Sequence, residues 1–237
     1  MMNLTETVLY SCGISLFTSF GIQKVEAKRP NILFIMTDQQ RYDMLSCAGN
    51  RYVHTPSLDQ LAENGVRFER NYCANPVSMP SRFAMITGRF AGEIGYTNNS
   101  TKPDTLRVLP VARESSVGNL FRNAGYETIY SGYPGFYCGR TDITDYGFIQ
   151  NGMDFYDGPS NFAESFFAGY KPEEDKPFFL YLSFMNPHDI CYGAGFDPRF
   201  PDKLRPHQIA ATQKYINFRK TLSEEEYRNQ IPPVPAN

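Results

Sequence analysis

Three short stretches of this chain bring together residue types that do chemistry: Thr37-Asp38-Gln39-Gln40, Ser78-Met79-Pro80-Ser81-Arg82, and Asn186-Pro187-His188-Asp189. A serine hydroxyl is a weak nucleophile at neutral pH unless a base or a metal activates it, and no histidine lies near Ser78 in sequence. Asp38 is a hard oxygen donor of the kind that binds a divalent cation. Arg82 offers a fork of N–H donors suited to an oxyanion. Pro80 fits a helix's first turn and Gly88 its C-terminal stop, so residues 80–87 read as a short helix whose N-terminus points at Ser78. Unpaired N–H groups and the positive dipole end at that place favour an anion such as sulfate or phosphate. Taken singly, each stretch also has a plain explanation. Asp38 fits a turn after a strand, Arg82 a solvated helix position, and the pentapeptide an ordinary helix start with a serine near its cap.

The elements that must position these residues follow from pattern. Asn31 to Met36 is a continuous apolar run, which is how a fully buried strand of a parallel sheet reads, and Asp38 stands just past its carboxyl end. Thr55-Pro56-Ser57 opens a helix that Gly65 stops, with Leu58, Leu61 and Ala62 on one face. Val66 to Phe68 is expected as a short strand. Ser115 or Ser116 caps a further helix with Val117, Leu120, Phe121 and Ala124 turned inward, and Glu127 to Tyr130 follows as a strand. Residues 133–177 carry many Gly, Tyr, Asp and Pro without periodicity and read as a long functional excursion. Phe178 to Met185 is again an apolar, aromatic strand, delivering Asn186-Pro187-His188 at its end. The alternation predicts an α/β fold with a mostly parallel sheet flanked by helices. Ligands in such sheets bind outside the carboxyl ends of the strands, and Asp38, the Ser78 segment and His188 all fall there.

Composition narrows the classes. A chain of 237 residues, 41% hydrophobic and 20% charged, has enough apolar content for a sizeable domain. A formal charge of −2 with Lys and Arg scattered gives no basic footprint, which argues against a nucleic-acid partner. Five cysteines at irregular spacing, Cys12, Cys47, Cys73, Cys138 and Cys191, suggest free thiols rather than a zinc site or a disulfide framework. The three histidines, His54, His188 and His207, are too dispersed for a zinc cluster. No segment is long and apolar enough to be a transmembrane helix. Residues 1–27 read as a weak signal peptide: Val8 to Ile22 is mildly apolar and Val25-Glu26-Ala27 could end it, while Glu6 and the lack of basic residues ahead of the apolar stretch speak against it. A periplasmic or secreted protein is expected, or a cytoplasmic one if this segment is not a signal.

Together, the Asp38 stretch, the S-x-P-S-R motif at Ser78 with its continuation to Gly88-Arg89, and Asn186-Pro187-His188-Asp189 resemble the type I, formylglycine-dependent sulfatases of the alkaline phosphatase superfamily. The resemblance implies that Ser78 is oxidised by a separate maturase to formylglycine, that Asp38, Gln39 and the Ser78-derived group bind one divalent cation, commonly calcium, that Arg82 hydrogen-bonds the formylglycine, and that His188 contacts the sulfate or the leaving oxygen. It implies hydrolysis of sulfate esters of a small molecule or, at family level, a sulfated glycan.

Two departures qualify what the resemblance implies. Members often carry a second aspartate where this chain has Gln39, and a G-K-x-H element where it has Gly132-Tyr133-Pro134-Gly135; Arg140 is a candidate to replace the missing cations. The resemblance covers residues 29–236 and only the N-terminal portion of a member's catalytic domain, so residues 28–237 are read as that portion, apparently truncated. A phosphonate or phosphodiester hydrolase of the same superfamily and a non-catalytic remnant are the alternatives.

Overall fold

A computed structural model describes residues 28–99, 110–133, 142–151, 157–172, 176–188, 213, 217–218 and 220–230. The chain divides into two compact units, Met1–Pro30 and Asn31–Asn237, and the second carries every element named below. Its strands β1 (Ile32–Asp38), β2 (Glu127–Gly132), β3 (Ile149–Asn151) and β4 (Phe178–Pro187) form one sheet in the spatial order β1-β4-β2-β3. Every pairing is parallel. Helices α1 (Pro56–Asn64), α2 (Ser78–Thr87), α3 (Ala91–Ile94), α4 (Pro110–Glu114), α5 (Val117–Asn123) and α6 (Gly158–Gly169) fall between the strands, and α7 (Glu224–Gln230) lies near the end of the chain. The α/β architecture expected from the sequence is the observed one.

β4 organises the interior because its side chains alternate faces, as any strand's must. Phe178, Leu180, Leu182 and Phe184 pack with Ile129 of β2 and with Phe162, Ala163 and Phe166 of α6. Phe179 and Tyr181 turn the other way, into a core built from Met79, Phe83 and Ile86 of α2, Tyr130 of β2, and Tyr146 and Phe148. Aromatic rings interlock there: Tyr130 stacks on Tyr181 at 4.7 Å, and Phe121 meets Phe179 at 4.6 Å between ring centroids. Fully burying one such side chain is worth about 1.5–3 kcal/mol. The core therefore gives α2 a firm seat before any polar contact of the site is counted.

Three local expectations give way to tertiary context. β1 is not a fully buried strand: Leu33 and Ile35 are 43% and 49% exposed, because β1 pairs only with β4 and forms the edge of the described sheet. Val66 to Phe68 forms no strand, and Val66 and Phe68 are exposed. In α5, Leu120 is exposed and Ala124 lies outward, while Gly118 and Asn119 are the buried positions. A Cβ at Gly118 would come within 2.3 Å of the Tyr146 carbonyl oxygen, so a glycine lets α5 approach that segment more closely than an apolar face would.

Candidate active site

The site grows from one turn of α2. Val77 is extended (φ −129°, ψ 134°) and α2 begins at Ser78, two residues earlier than the position of Pro80 suggests. Residues four apart on a helix share a face, so Arg82 lies beneath Ser78 and its Nε donates to Ser78 Oγ at 3.3 Å. Asp38, at the carboxyl end of β1, closes the group: Ser78 Oγ donates to Asp38 Oδ2 at 2.8 Å, and Arg82 Nη2 donates to the same oxygen at 2.9 Å. Three residues named from sequence thus meet, though they arrive on two different elements.

Arg82 is 3% exposed and Asp38 11%. A buried guanidinium without partners would cost several kcal/mol, and here each of its nitrogens is engaged. Nη1 donates to Ser183 Oγ at 2.7 Å and to the Tyr133 carbonyl oxygen at 3.2 Å. The Tyr133 ring lies over the guanidinium, 4.7 Å from its carbon to the ring centroid, a cation–π geometry. Tyr130 Oη donates to the same Tyr133 carbonyl at 2.8 Å, and the Tyr133 N–H donates to the Ser183 carbonyl oxygen at 2.9 Å.

The turn that presents Tyr133 depends on Gly132. Its φ is +100°, and a Cβ there would sit 2.1 Å from the Ser183 carbonyl oxygen, so both conformation and space exclude other residues. Tyr133 thus presents its aromatic face to Arg82. Burial pushes the Tyr130 phenol above its ordinary range, the nearby Arg82 charge and hydrogen bonds with Ser183 and Arg82 offsetting part of the effect. Burial, and then the neighbouring Tyr130, push the Tyr181 phenol up as well, with Arg82 opposing them.

The remaining expected residues sit as follows. His188 is half-buried at the end of β4, its N–H donating to the Met185 carbonyl at 3.1 Å. Asp38 is in register with Pro187, which puts His188 at the same sheet edge. Gln39 is exposed and has a positive φ of 61°, uncommon for a residue with a side chain, so the chain turns sharply right after Asp38. His54 is exposed. Arg140 and His207 lie outside the described residues, as do Cys12, Cys138 and Cys191; Cys47 and Cys73 are free thiols.

The helix N-terminus is less open to an anion than the sequence suggests. Pro80 has no N–H, the Met79 N–H donates to Asn99 Oδ1 at 3.1 Å, and the Ser81 N–H donates to the Val77 carbonyl at 2.9 Å. Of the first-turn positions Met79, Pro80 and Ser81, none leaves an N–H open to an anion. For a cation, Asp38, Gln39 and Ser78 are hard oxygen donors that suit calcium in kind. In number they fall short of the roughly six to eight oxygens it takes. Among the described residues no cluster of three or more His, Cys, Asp or Glu side chains is available to a metal. A groove of about 540 Å³, lined by Tyr72, Cys73, Ser81, Met85 and Arg89 among others, contains none of Ser78, Asp38 and Arg82.

Sequence reasoning missed Ser183, Tyr133 and Tyr130. One signal was available for the first: Ser183 interrupts the otherwise apolar and aromatic run from Phe178 to Met185.

Compared with known proteins, residues 30–224 match the family model described as Sulfatase. The chain is 35% identical over 130 residues to the N-acetylglucosamine-6-O-sulfatase of Bacteroides thetaiotaomicron, covering 55% of this chain and 22% of that protein. Among solved structures, a 2-O GAG sulfatase superposes with a TM-score of 0.57 at 24% identity, over 69% of this chain and 36% of the other. A second, solved in complex with its substrate D-glucosamine-2-N,6-O-disulfate, gives a TM-score of 0.53 at 26% identity, over 76% and 39%. The chain thus spans between about a fifth and two fifths of the length of these three proteins.

Proposed function

The chain belongs to the sulfatase family, and from that premise we propose that it carries the nucleophile half of a sulfuric ester hydrolase acting on a sulfated glycan, with Ser78 oxidised to formylglycine. The observation that carries this reading is the contact of Ser78 with both Asp38 and Arg82 at the carboxyl edge of a parallel sheet. The substrate class is supported by the relatives, one named for N-acetylglucosamine 6-O-sulfate and one solved with a disulfated glucosamine.

Oxidation of the Ser78 side chain to an aldehyde would release two electrons and two protons, which the maturase would have to pass to an electron acceptor of its own. Hydrated, that aldehyde would offer two hydroxyls on one carbon, one able to form an S–O bond as the ester's S–O bond to the alcohol breaks, the other able to lose its proton as the C–O bond to sulfate breaks and the aldehyde returns. A calcium ion held by Asp38, Gln39 and the Ser78-derived oxygens would offset negative charge on the sulfate. Arg82 keeps a donor, Nε, on the attacking oxygen and holds Asp38 with Nη2. Such fixed donors need no reorganisation as charge builds on the sulfate oxygens, which is where preorganisation contributes most. His188, at the same edge, is assigned to the sulfate or to the leaving oxygen.

The test is co-expression with a serine-accepting maturase, an aldehyde-reactive probe and peptide mass mapping. The expected result is one labelled peptide containing position 78, lost in Ser78→Ala. Unmodified Ser78 from a host that modifies another serine-type sulfatase would refute the reading. Rates on sulfate, phosphate and phosphonate esters of one aryl alcohol separate it from a phosphonate or phosphodiester hydrolase.

A further inference from the structure

Arg82 can serve Ser78 and Asp38 only if its guanidinium keeps one orientation. A guanidinium is planar, so fixing Nη1 fixes the directions of Nε and Nη2 as well. Nη1 points away from the reacting serine, into the sheet, where Ser183 Oγ receives it at 2.7 Å and the Tyr133 carbonyl at 3.2 Å. Ser183 is fully buried in the middle of β4. On that face of β4 it follows Phe179 and Tyr181, which belong to the aromatic core, so a hydroxyl stands where the strand's pattern calls for another apolar side chain. Hydroxyls are costly to bury without partners. This one is engaged by Arg82.

We infer that Ser183 is a positioning residue for the nucleophile: with the Tyr133 carbonyl it anchors the rear nitrogen of Arg82, so that Nε and Nη2 stay on Ser78 Oγ and Asp38. The anchor explains three features at once. It accounts for a serine inside an aromatic strand and for the glycine at 132, whose conformation brings residue 133 over Arg82. It also accounts for the Tyr133 N–H bond to the Ser183 carbonyl, which ties the two anchoring residues to each other. Its importance for turnover rests on the sulfatase reading; the anchor itself does not.

The deciding measurement is nitrogen-15 NMR of the arginine side chains in the intact chain. Held at both ends, Arg82 rotates slowly about its Nε–Cζ and Cζ–Nη bonds, and wild type is expected to show separate Nη1 and Nη2 signals, assigned by their loss in Arg82→Lys. Ser183→Ala is expected to merge them while backbone amide signals away from the site stay in place, and Ser183→Thr, which keeps the hydroxyl, is expected to restore them. Merged signals in wild type, or separate signals retained in Ser183→Ala, would overturn the anchor. Should Ser183→Ala fail to fold, Ser183→Cys, which keeps the shape and offers only a weak acceptor, takes its place with the same expected outcome. The two proposals fail separately: separate Nη signals without an aldehyde at Ser78 would leave the anchor and remove the sulfatase reading, and an aldehyde with merged signals would do the reverse.

Discussion

The Ser78 hydroxyl donates to the Asp38 carboxylate across 2.8 Å, although the two residues lie 40 positions apart. Asp38 also pairs with Arg82, on the same oxygen, so it has a part in stability as well as in any cation site. Asp38→Asn keeps the shape and removes the charge. Since removing one member of a buried ion pair strands the other, a loss of about 3 kcal/mol is expected in urea unfolding, together with calcium binding weaker than that of Gln39→Ala by calorimetry. Gln39 is exposed and offers an amide oxygen without formal charge, so its removal is expected to cost the cation little. Equal affinities in the two variants would place the cation elsewhere.

Gly132→Ala is expected to cost at least about 2 kcal/mol, since alanine is strained at positive φ and destabilises wherever the native conformation excludes it. The obstacle is backbone, the Ser183 carbonyl at 2.1 Å, which no rotamer change relieves. Chemical denaturation measures the loss, and a neutral result would mean that the turn into Tyr133 adjusts freely.

Tyr130 and Tyr181 are expected to keep their protons beyond the ordinary phenol range, because burial raises both phenols. An acid whose pKa is higher in the folded state keeps its proton there while the unfolded chain has lost it. Their contribution to stability is therefore complete below pH of about 10, the ordinary phenol value, and declines as pH rises beyond it. Phenolate absorbance at high pH is expected to rise when the native protein is unfolded, and Tyr130→Phe to reduce that rise by one tyrosine.

Turnover of an activated aryl sulfate by the 237-residue chain, matured and carrying the aldehyde, is expected to be slow. The assigned donors give a cation one carboxylate, one amide oxygen and the Ser78-derived group, against the roughly six to eight oxygens calcium takes. A rate equal to that of a full-length relative under the same assay would show that this count of the site is wrong.

Motif reading found the front of the site because Ser78 and Arg82 are local to one helix turn and Asp38 ends an apolar run. The back of the site was hidden for a physical reason: Ser183 and the Tyr133 carbonyl reach Arg82 only through the pairing of β2 with β4, and a backbone carbonyl has no sequence signature at all. β1 misled for a related cause. An apolar run reads alike in the middle of a sheet and at its edge, and the pairing partner, absent on one side of β1 among the described residues, makes the difference. Val66 to Phe68 has the residue types of a strand and, among the described residues, no strand paired with it.

The alternating register of β4 makes that strand a ruler. Its even positions from Phe178 to Phe184 are committed to α6 and its odd ones to the aromatic core and Arg82. Deleting or inserting a single residue between Phe178 and Ser183 would exchange the two sets, bringing a leucine or phenylalanine under the guanidinium and turning the hydroxyl toward α6. Divergence in this strand is thus confined to substitution.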